Sequence, residues 1–127
     1  MAKLLGVSRS EVESDMLAAG RRAPAEIGAV VALKGAETYI VDPSSGAWLF
    51  EGGSIALGTS GSGDTLAGII AGLLARGAKA AQATLWAVYM HGEAGRRLST
   101  KHGALGALAR EIPTEIPSIM RDMSEVR

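Results

Sequence analysis

Cysteine is absent from the 127-residue chain. Disulfides, thiolate zinc sites and cysteine nucleophiles are thereby excluded, and a reducing compartment such as the cytoplasm fits. Aromatic residues are scarce at 4%, while hydrophobic residues make up 47%. A core of Ala, Leu, Ile and Val suits helices packed closely on a sheet better than a β-sandwich, which favours an α/β protein. Net charge is also missing, because thirteen Lys and Arg balance thirteen Asp and Glu. No field of one sign would draw nucleic acid or an anionic membrane, and the isolated pairs Arg21-Arg22 and Arg96-Arg97 read as solvated helix faces. Long hydrophobic runs are lacking too. "LAGIIAGLLA", ten residues ahead of Arg76, is about half of the roughly twenty a membrane span needs, and it reads as a buried helix. Its Gly68 and Gly72 are expected to offer a flat strip for close packing. No secretory leader is visible, because residues 1–6 run at once into a polar stretch.

What is present divides into strands and helices. A chain of this size is expected to form one domain that buries roughly two-thirds of its unfolded surface. Ser8-x-x-Glu11 is a capping-box signature, so a helix is expected from near Arg9, showing Val12, Met16 and Leu17 on one side until Gly20 and Pro24 weaken or break it. "AVVAL" (29–33) and "TYIV" (38–41) read as adjacent strands separated by "KGAE". "DPSSG" (42–46) is turn chemistry, and "AWLF" (47–50) a third strand. From Ser62 the pattern turns helical. Leu66, Ile69, Ile70, Leu73 and Leu74 share a face that Gly77 should end, and residues 80–98 form a second long helix. Near the end, a short helix precedes one opened by Pro113 or Pro117, since a first turn needs no amide hydrogen. Loops 51–61 and 99–103 look internal to one domain.

The most informative stretch is "GTSGSGDTLAG" (58–68). Gly61 and Gly63 allow backbone angles that other residues resist, and they let an anion approach the amides directly. The first-turn amides of the following helix lack internal partners and lie at the positive end of its dipole. Ser60, Gly61, Ser62 and Gly63 are therefore candidates for a phosphate cradle that needs no basic side chain. Asp64 has two readings. As an N-cap it would accept an amide hydrogen bond, worth about 1 kcal/mol. As a general base it would take the proton of a substrate hydroxyl as that oxygen attacks a phosphoryl group. A carboxylate beside a polyphosphate is repulsive, so a divalent ion or a substrate hydroxyl should stand between them; Mg²⁺ held mainly through phosphate and water is expected. The loop is not a Walker A motif, since no Gly-Lys-Ser/Thr follows. Lys34, at the exit of a buried strand, could stand near phosphates or simply face solvent before a turn glycine. His91 and Glu93 lack a further matched ligand, so packing between helices is the better reading of His91 than metal binding. Trp48, Trp86 and Tyr89 read as core or interface residues rather than a stacking platform.

"GTSGSGDTLAGIIAGLLARGA", preceded by "VVALKGAETYIVDPSSG" and followed by "HGEAG", resembles the C-terminal half of the ADP/ATP-dependent NAD(P)H-hydrate dehydratases, members of the ribokinase-like superfamily. The resemblance covers nearly the whole chain. It implies an α/β fold, the ribokinase-like three-layer α/β/α architecture, with residues 1–127 as a single, N-terminally incomplete domain. "MAKLLGV" resembles the segment that follows the family's Pro-His-x-Gly-Glu substrate loop, which places Met1 inside the fold and leaves about half the domain unaccounted for. The resemblance implies dehydration of NADHX and NADPHX, damaged cofactors, driven by ADP or ATP. Hydroxide is a poor leaving group; phosphorylating the ring hydroxyl lets the adjacent enamine nitrogen expel phosphate and restore the dihydronicotinamide. By the match, Asp64 is the base contacting the hydrate and Gly63 contacts the adenine nucleotide. Lys34, Gly35, Ala36, Glu37 and Thr38 fall on the nucleotide-binding segment. Where the family has an Asn-Pro-Gly-Met run, "GGSIALGTSGSGD" stands instead. A truncated parallel sheet would expose a strand edge and apolar surface, so a homo-oligomer is expected. A superfamily kinase acting on a hydroxymethylpyrimidine, thiazole alcohol or sugar would show the same loop and aspartate, and a nucleotide-binding or assembly module without catalysis is a third reading.

Overall fold

The computed structural model describes residues 1–125, which divide into two compact units, Met1–Glu51 and a second beginning at Gly52. In the first, α1 (Ala2–Leu5), α2 (Arg9–Ser14) and α3 (Met16–Ile27) precede β1 (Val31–Lys34), β2 (Thr38–Asp42) and β3 (Gly46–Phe50). The strands form an antiparallel meander in the order β1-β2-β3, with Leu33 opposite Tyr39 and Ile40 opposite Trp48. The pairing is antiparallel throughout, which corrects the parallel sheet expected here: tight turns at 35–37 and 43–45 leave no room for a crossover helix.

The Ser8 capping box forms as its sequence requires. The Glu11 amide donates to Ser8 Oγ at 3.2 Å, and the Ser8 amide to Glu11 Oε2 at 2.9 Å. Asp15, not Gly20 or Pro24, then interrupts the helical run. Its carboxylate accepts the Ala18 amide at 2.9 Å and starts α3. Gly20 and Pro24 lie buried inside α3. A Cβ on Gly20 would stand 3.3 Å from Val41 Cγ2, so this glycine lets the helix sit close on the sheet rather than ending it. Leu5, Val12, Ala19, Ala23 and Leu33 form the core of the unit. The first strand starts two residues later than expected, because Gly28 takes φ 62° to close α3 and the chain must turn before Val31. The "DPSSG" turn is held by Asp42 Oδ1, which accepts from the Ser44 amide at 2.7 Å and the Ser45 amide at 3.2 Å.

The second unit is helical: α4 (Ser62–Ala75), α5 (Ala80–His102) and α6 (Ile112–Glu125), with short 3₁₀ turns at Ile55–Gly58 and Ala109–Glu111. Its core gathers Ala56, Met90, Ala94, Leu98, Ala107, Ile112 and Ile119. Gly77, at φ 88°, closes α4 with the Gly77 amide on the Leu74 carbonyl and the Ala78 amide on that of Leu73. Residues 99–102, expected as loop, continue α5 until Gly103, whose amide closes on the Ser99 carbonyl. Pro113 occupies the first turn of α6, while Pro117 stands within it. The burial expected for "LAGIIAGLLA" is corrected: only Ser62 and Leu66 of α4 are buried. A Cβ at Gly68 or Gly72 would meet nothing within 4 Å, so that strip packs against no described residue. No helix among the described residues is long and apolar enough to cross a membrane.

Arg97 bridges α5 to α6 rather than facing solvent as read from sequence. It donates to Glu93 at 3.0 Å, to Asp122 at 2.7 Å and to Ser118 Oγ at 3.0 Å. The Arg96 hydrogen bond, with further help from Arg97, holds the Glu93 carboxyl at about 2 against an ordinary 4.5. A depressed carboxyl stabilises the fold fully above pH 4.5 and loses that contribution as pH falls toward about 2. Urea midpoints are expected to decline across this window, and Glu93→Gln to flatten the decline; superimposable pH profiles for the two proteins would contradict the assignment.

Candidate functional site

The chain entering α4 is tied down from inside. Ser54 Oγ hydrogen-bonds Ser99 Oγ on α5 and accepts the Ala56 amide at 3.2 Å, which starts the 3₁₀ turn. Ser62, only 5% exposed, donates its hydroxyl to the Leu57 carbonyl at 2.6 Å. The Gly61 carbonyl accepts both the amide and the hydroxyl of Thr65 at 3.1 Å. Buried His91 lies 2.9 Å from the Ser62 carbonyl through Nε2. A carbonyl oxygen can only accept, so Nε2 carries the hydrogen. The carbonyls of residues 57, 61 and 62 are therefore all engaged inward.

The amides of the first turn face the other way. Gly61 is the N-cap at φ 86°, a left-handed conformation that glycine adopts without strain, and a Cβ there would stand 3.3 Å from Ala109 Cβ. Ser62 donates its amide to the Thr59 carbonyl at 3.3 Å. Gly63 and Asp64 occupy the next two positions of the turn, exposed, and their amides have no acceptor among the described residues. The helix dipole adds positive potential at this point. An anion can be held here by backbone alone.

Two sequence readings change. The N-cap of α4 is Gly61, with no side-chain cap, so Asp64 does not cap the helix. It stands in the first turn, exposed, with no hydrogen bond or ion pair among the described residues. Gly63 has an ordinary helical backbone with open space where a Cβ would go. Only Gly61 of the pair needs an unusual angle; what Gly63 provides is access. Ser60 is exposed on the turn before Gly61.

Residues Lys34, Gly35, Ala36, Glu37 and Thr38 lie in the first unit, apart in the chain from 60–64 in the second. They form the β1-β2 hairpin connection, in which the Gly35 amide donates to the Glu37 carbonyl at 2.8 Å. Lys34 pairs with Thr38 across the ladder. Lys34 to Glu37 are exposed, whereas Thr38 is buried. Desolvation by the surrounding chain draws the Lys34 ammonium below the ordinary lysine value. Gly35 makes room for Met16, whose Cε would be 2.9 Å from a Cβ at that position.

His91 is a packing residue, 3% exposed, while Glu93 is taken up by Arg96 and Arg97. No group of three His, Cys, Asp or Glu among the described residues could hold a metal ion. Trp86 and Tyr89 are each 45% exposed on α5, so neither is core. Sequence reasoning missed the role of α5 toward the loop. The signal was present in the helical spacing of His91, Gly95 and Ser99, which puts all three on one stripe.

The chain resembles known proteins in sequence and fold. A family model for NAD(P)H-hydrate dehydratase matches residues 1–118. An ADP-dependent (S)-NAD(P)H-hydrate dehydratase of Xanthomonas campestris is 44% identical over 120 residues, covering 94% of this chain and 42% of the relative. The crystal structure of Bacillus subtilis ADP/ATP-dependent NAD(P)H-hydrate dehydratase, co-crystallised with ATP/Mg²⁺ and soaked with CoA, matches with a TM-score of 0.86 at 32% identity, over 92% of this chain and 43% of that one. A ribokinase-like superfamily protein from Enterococcus faecalis matches with a TM-score of 0.70, also at 32% identity, over 87% and 38%. The chain thus spans less than half the length of these relatives. Its α/β fold is ribokinase-like, and the chain belongs to the NAD(P)H-hydrate dehydratase family.

Proposed function

We propose that this chain contributes the phosphoryl-transfer end of an ADP/ATP-dependent NAD(P)H-hydrate dehydratase, a nicotinamide nucleotide repair lyase acting on NADHX and NADPHX. The observation that carries the reading is the mouth of α4, where two amides without an acceptor among the described residues stand beside an exposed carboxylate. The Gly63 and Asp64 amides would hold phosphate oxygens, and Asp64 would accept the proton of the hydrate hydroxyl as its oxygen attacks the terminal phosphorus. Phosphate then leaves from the ring carbon, driven out by the enamine nitrogen, and the resulting iminium loses a proton from the adjacent ring carbon to water, which restores the dihydronicotinamide. The hairpin from Lys34 to Thr38 would supply the nucleotide-binding segment. A bound Mg²⁺ would neutralise charge on the phosphates; with no group of three His, Cys, Asp or Glu among the described residues to hold it, it would be held chiefly by phosphate and water. In this reading residues 1–127 belong to one ribokinase-like domain.

Coverage of less than half of each relative supports a second reading, in which the chain alone binds nucleotide and turns over only with the remaining length supplied as a separate polypeptide. Adding ADP and NADHX, with and without that polypeptide, and following the recovery of NADH absorbance tests both. NADH recovery is expected in the mixture at least. A chain that binds neither ADP nor ATP in calorimetric titration would remove both readings, whereas nucleotide binding with phosphorylation of a thiazole or pyrimidine alcohol, and no NADH recovery, would favour a superfamily kinase.

The reading includes a cytoplasmic homo-oligomer without nucleic acid or membrane partners. It is supported by the edge strands β1 and β3 and by the outward strip of α4, where Ala67, Gly68, Ala71, Gly72, Leu74 and Ala75 are exposed. Sedimentation velocity at micromolar concentration is expected to show a species larger than the monomer. A compact monomer would overturn this part.

A further inference from the structure

The "HGEAG" segment of α5 does more than pack. His91, Gly95 and Ser99 follow one another at four-residue spacing, and each meets a different point of the chain leading into α4. Ser99 hydrogen-bonds Ser54. Gly95 receives the Leu57 side chain so closely that a Cβ would stand 2.5 Å from Leu57 Cγ. His91 donates to the Ser62 carbonyl at 2.9 Å. Between the last two contacts, the Leu57 carbonyl accepts the Ser62 hydroxyl at 2.6 Å, so the segment is fixed at both ends and across its middle. A peptide plane is rigid, and the Ser62 carbonyl shares its plane with the Gly63 amide. Whatever orients that carbonyl also orients the amide.

We propose that His91 is a positioning residue for the anion-binding amides: its Nε2–H, set by the α5 stripe that also seats Leu57 and Ser54, fixes the direction in which the Gly63 and Asp64 amides point. The functional consequence rests on the reading of the α4 mouth as a nucleotide phosphate site, but the geometric one does not. Without His91 the Ser62 carbonyl would be set by the helical bond of the first turn of α4 alone, and that turn is exposed at Gly63 and Asp64. Misplacement of a binding group by about 1 Å can cost on the order of a hundredfold in rate.

The test compares His91→Leu, which removes the donor while filling the space, with His91→Gln, whose amide nitrogen reaches the position of Nε2. In ¹⁵N-labelled protein without ligand, His91→Leu is expected to move the Gly63 and Asp64 amide resonances and speed their hydrogen exchange, and His91→Gln to keep both near the parent. ADP affinity is expected to fall about tenfold in His91→Leu and to stay within about threefold in His91→Gln. Unchanged Gly63 and Asp64 amides in His91→Leu would overturn the proposal. So would equal losses in the two variants, which would mark His91 as a filler of space. If His91→Leu does not fold, His91→Met, equally without a donor but flexible enough to fill the same space, takes its place, and unmoved Gly63 and Asp64 amides in that variant would overturn the proposal. A parent that binds no ADP sinks the nucleotide-site reading, and the amide measurements still judge the positioning role.

Discussion

Asp64→Asn is expected to abolish turnover in the assembly that recovers NADH, by roughly 10²–10⁴-fold, the usual contribution of a general base, while ADP affinity stays within a few-fold of the parent. The two outcomes separate because, in the proposed reading, the side chain and the backbone of this residue do different work. The Asp64 carboxylate makes no hydrogen bond or ion pair among the described residues, and Gly61 rather than Asp64 caps the helix. Replacement by an isosteric amide therefore breaks no contact, and the melting temperature should remain close to the parent's. The backbone amide, which would hold phosphate, is untouched. Stopped chemistry with intact nucleotide binding and intact stability would leave proton abstraction as the missing step. NADH recovery, ADP calorimetry and thermal melts on the same preparation check the three together. Retained turnover would refute the role of Asp64, and lost ADP binding would show that its carboxylate serves the nucleotide rather than the acceptor.

How much of this could be read from residues alone depends on how far apart the interacting groups lie in the chain. The Ser8 capping box, the Asp42 turn and the glycine closure of α4 were legible because each is settled within about six residues. Gly20 and Pro24 misled for the opposite reason. Their local preference is to end a helix, and it is overridden because Gly20 meets Val41 on a strand twenty-one positions away. The apolar pattern of α4 identified a helix and its hydrophobic face; how much of that face meets a partner is not encoded in its period, and here Leu66 is buried, Ile69 and Leu73 pack half-buried against the core, and Leu74 is exposed. At the site, Gly61 and Gly63 looked alike in sequence. The structure separates them by conformation and clearance, since one needs its positive φ and the other leaves space over an exposed amide. His91 could be recognised as buried, but its acceptor is the carbonyl of a residue twenty-nine positions earlier. The four-residue spacing in α5 marks a shared stripe, but it does not say which carbonyl the stripe meets.

The separation of the two glycines leads to the second large expectation. Gly63→Leu should stabilise the protein and cripple nucleotide binding at once. Gly63 lies within α4 with helical backbone and is exposed, and a Cβ there would meet nothing within 4 Å, so a side chain can leave the helix toward solvent. Exchanging helical glycine for leucine is worth about 0.8 kcal/mol in helix propensity, which should raise the melting temperature. The same side chain stands over amides that, in the proposed reading, grip phosphate. Loss of a hydrogen bond to a charged group costs on the order of 1.5–3 kcal/mol, so ADP should bind about ten- to a hundredfold more weakly. Gly61→Leu gives the contrast. Its φ of 86° and the 3.3 Å approach to Ala109 predict strain and a lower melting temperature whatever the ligand does. General damage to the fold moves stability and affinity in the same direction, and only a steric block at the phosphate moves them oppositely. If Gly63→Leu melts higher and still binds ADP as the parent does, phosphate does not sit at the mouth of α4, and the acid-base role of Asp64 loses the neighbour it requires.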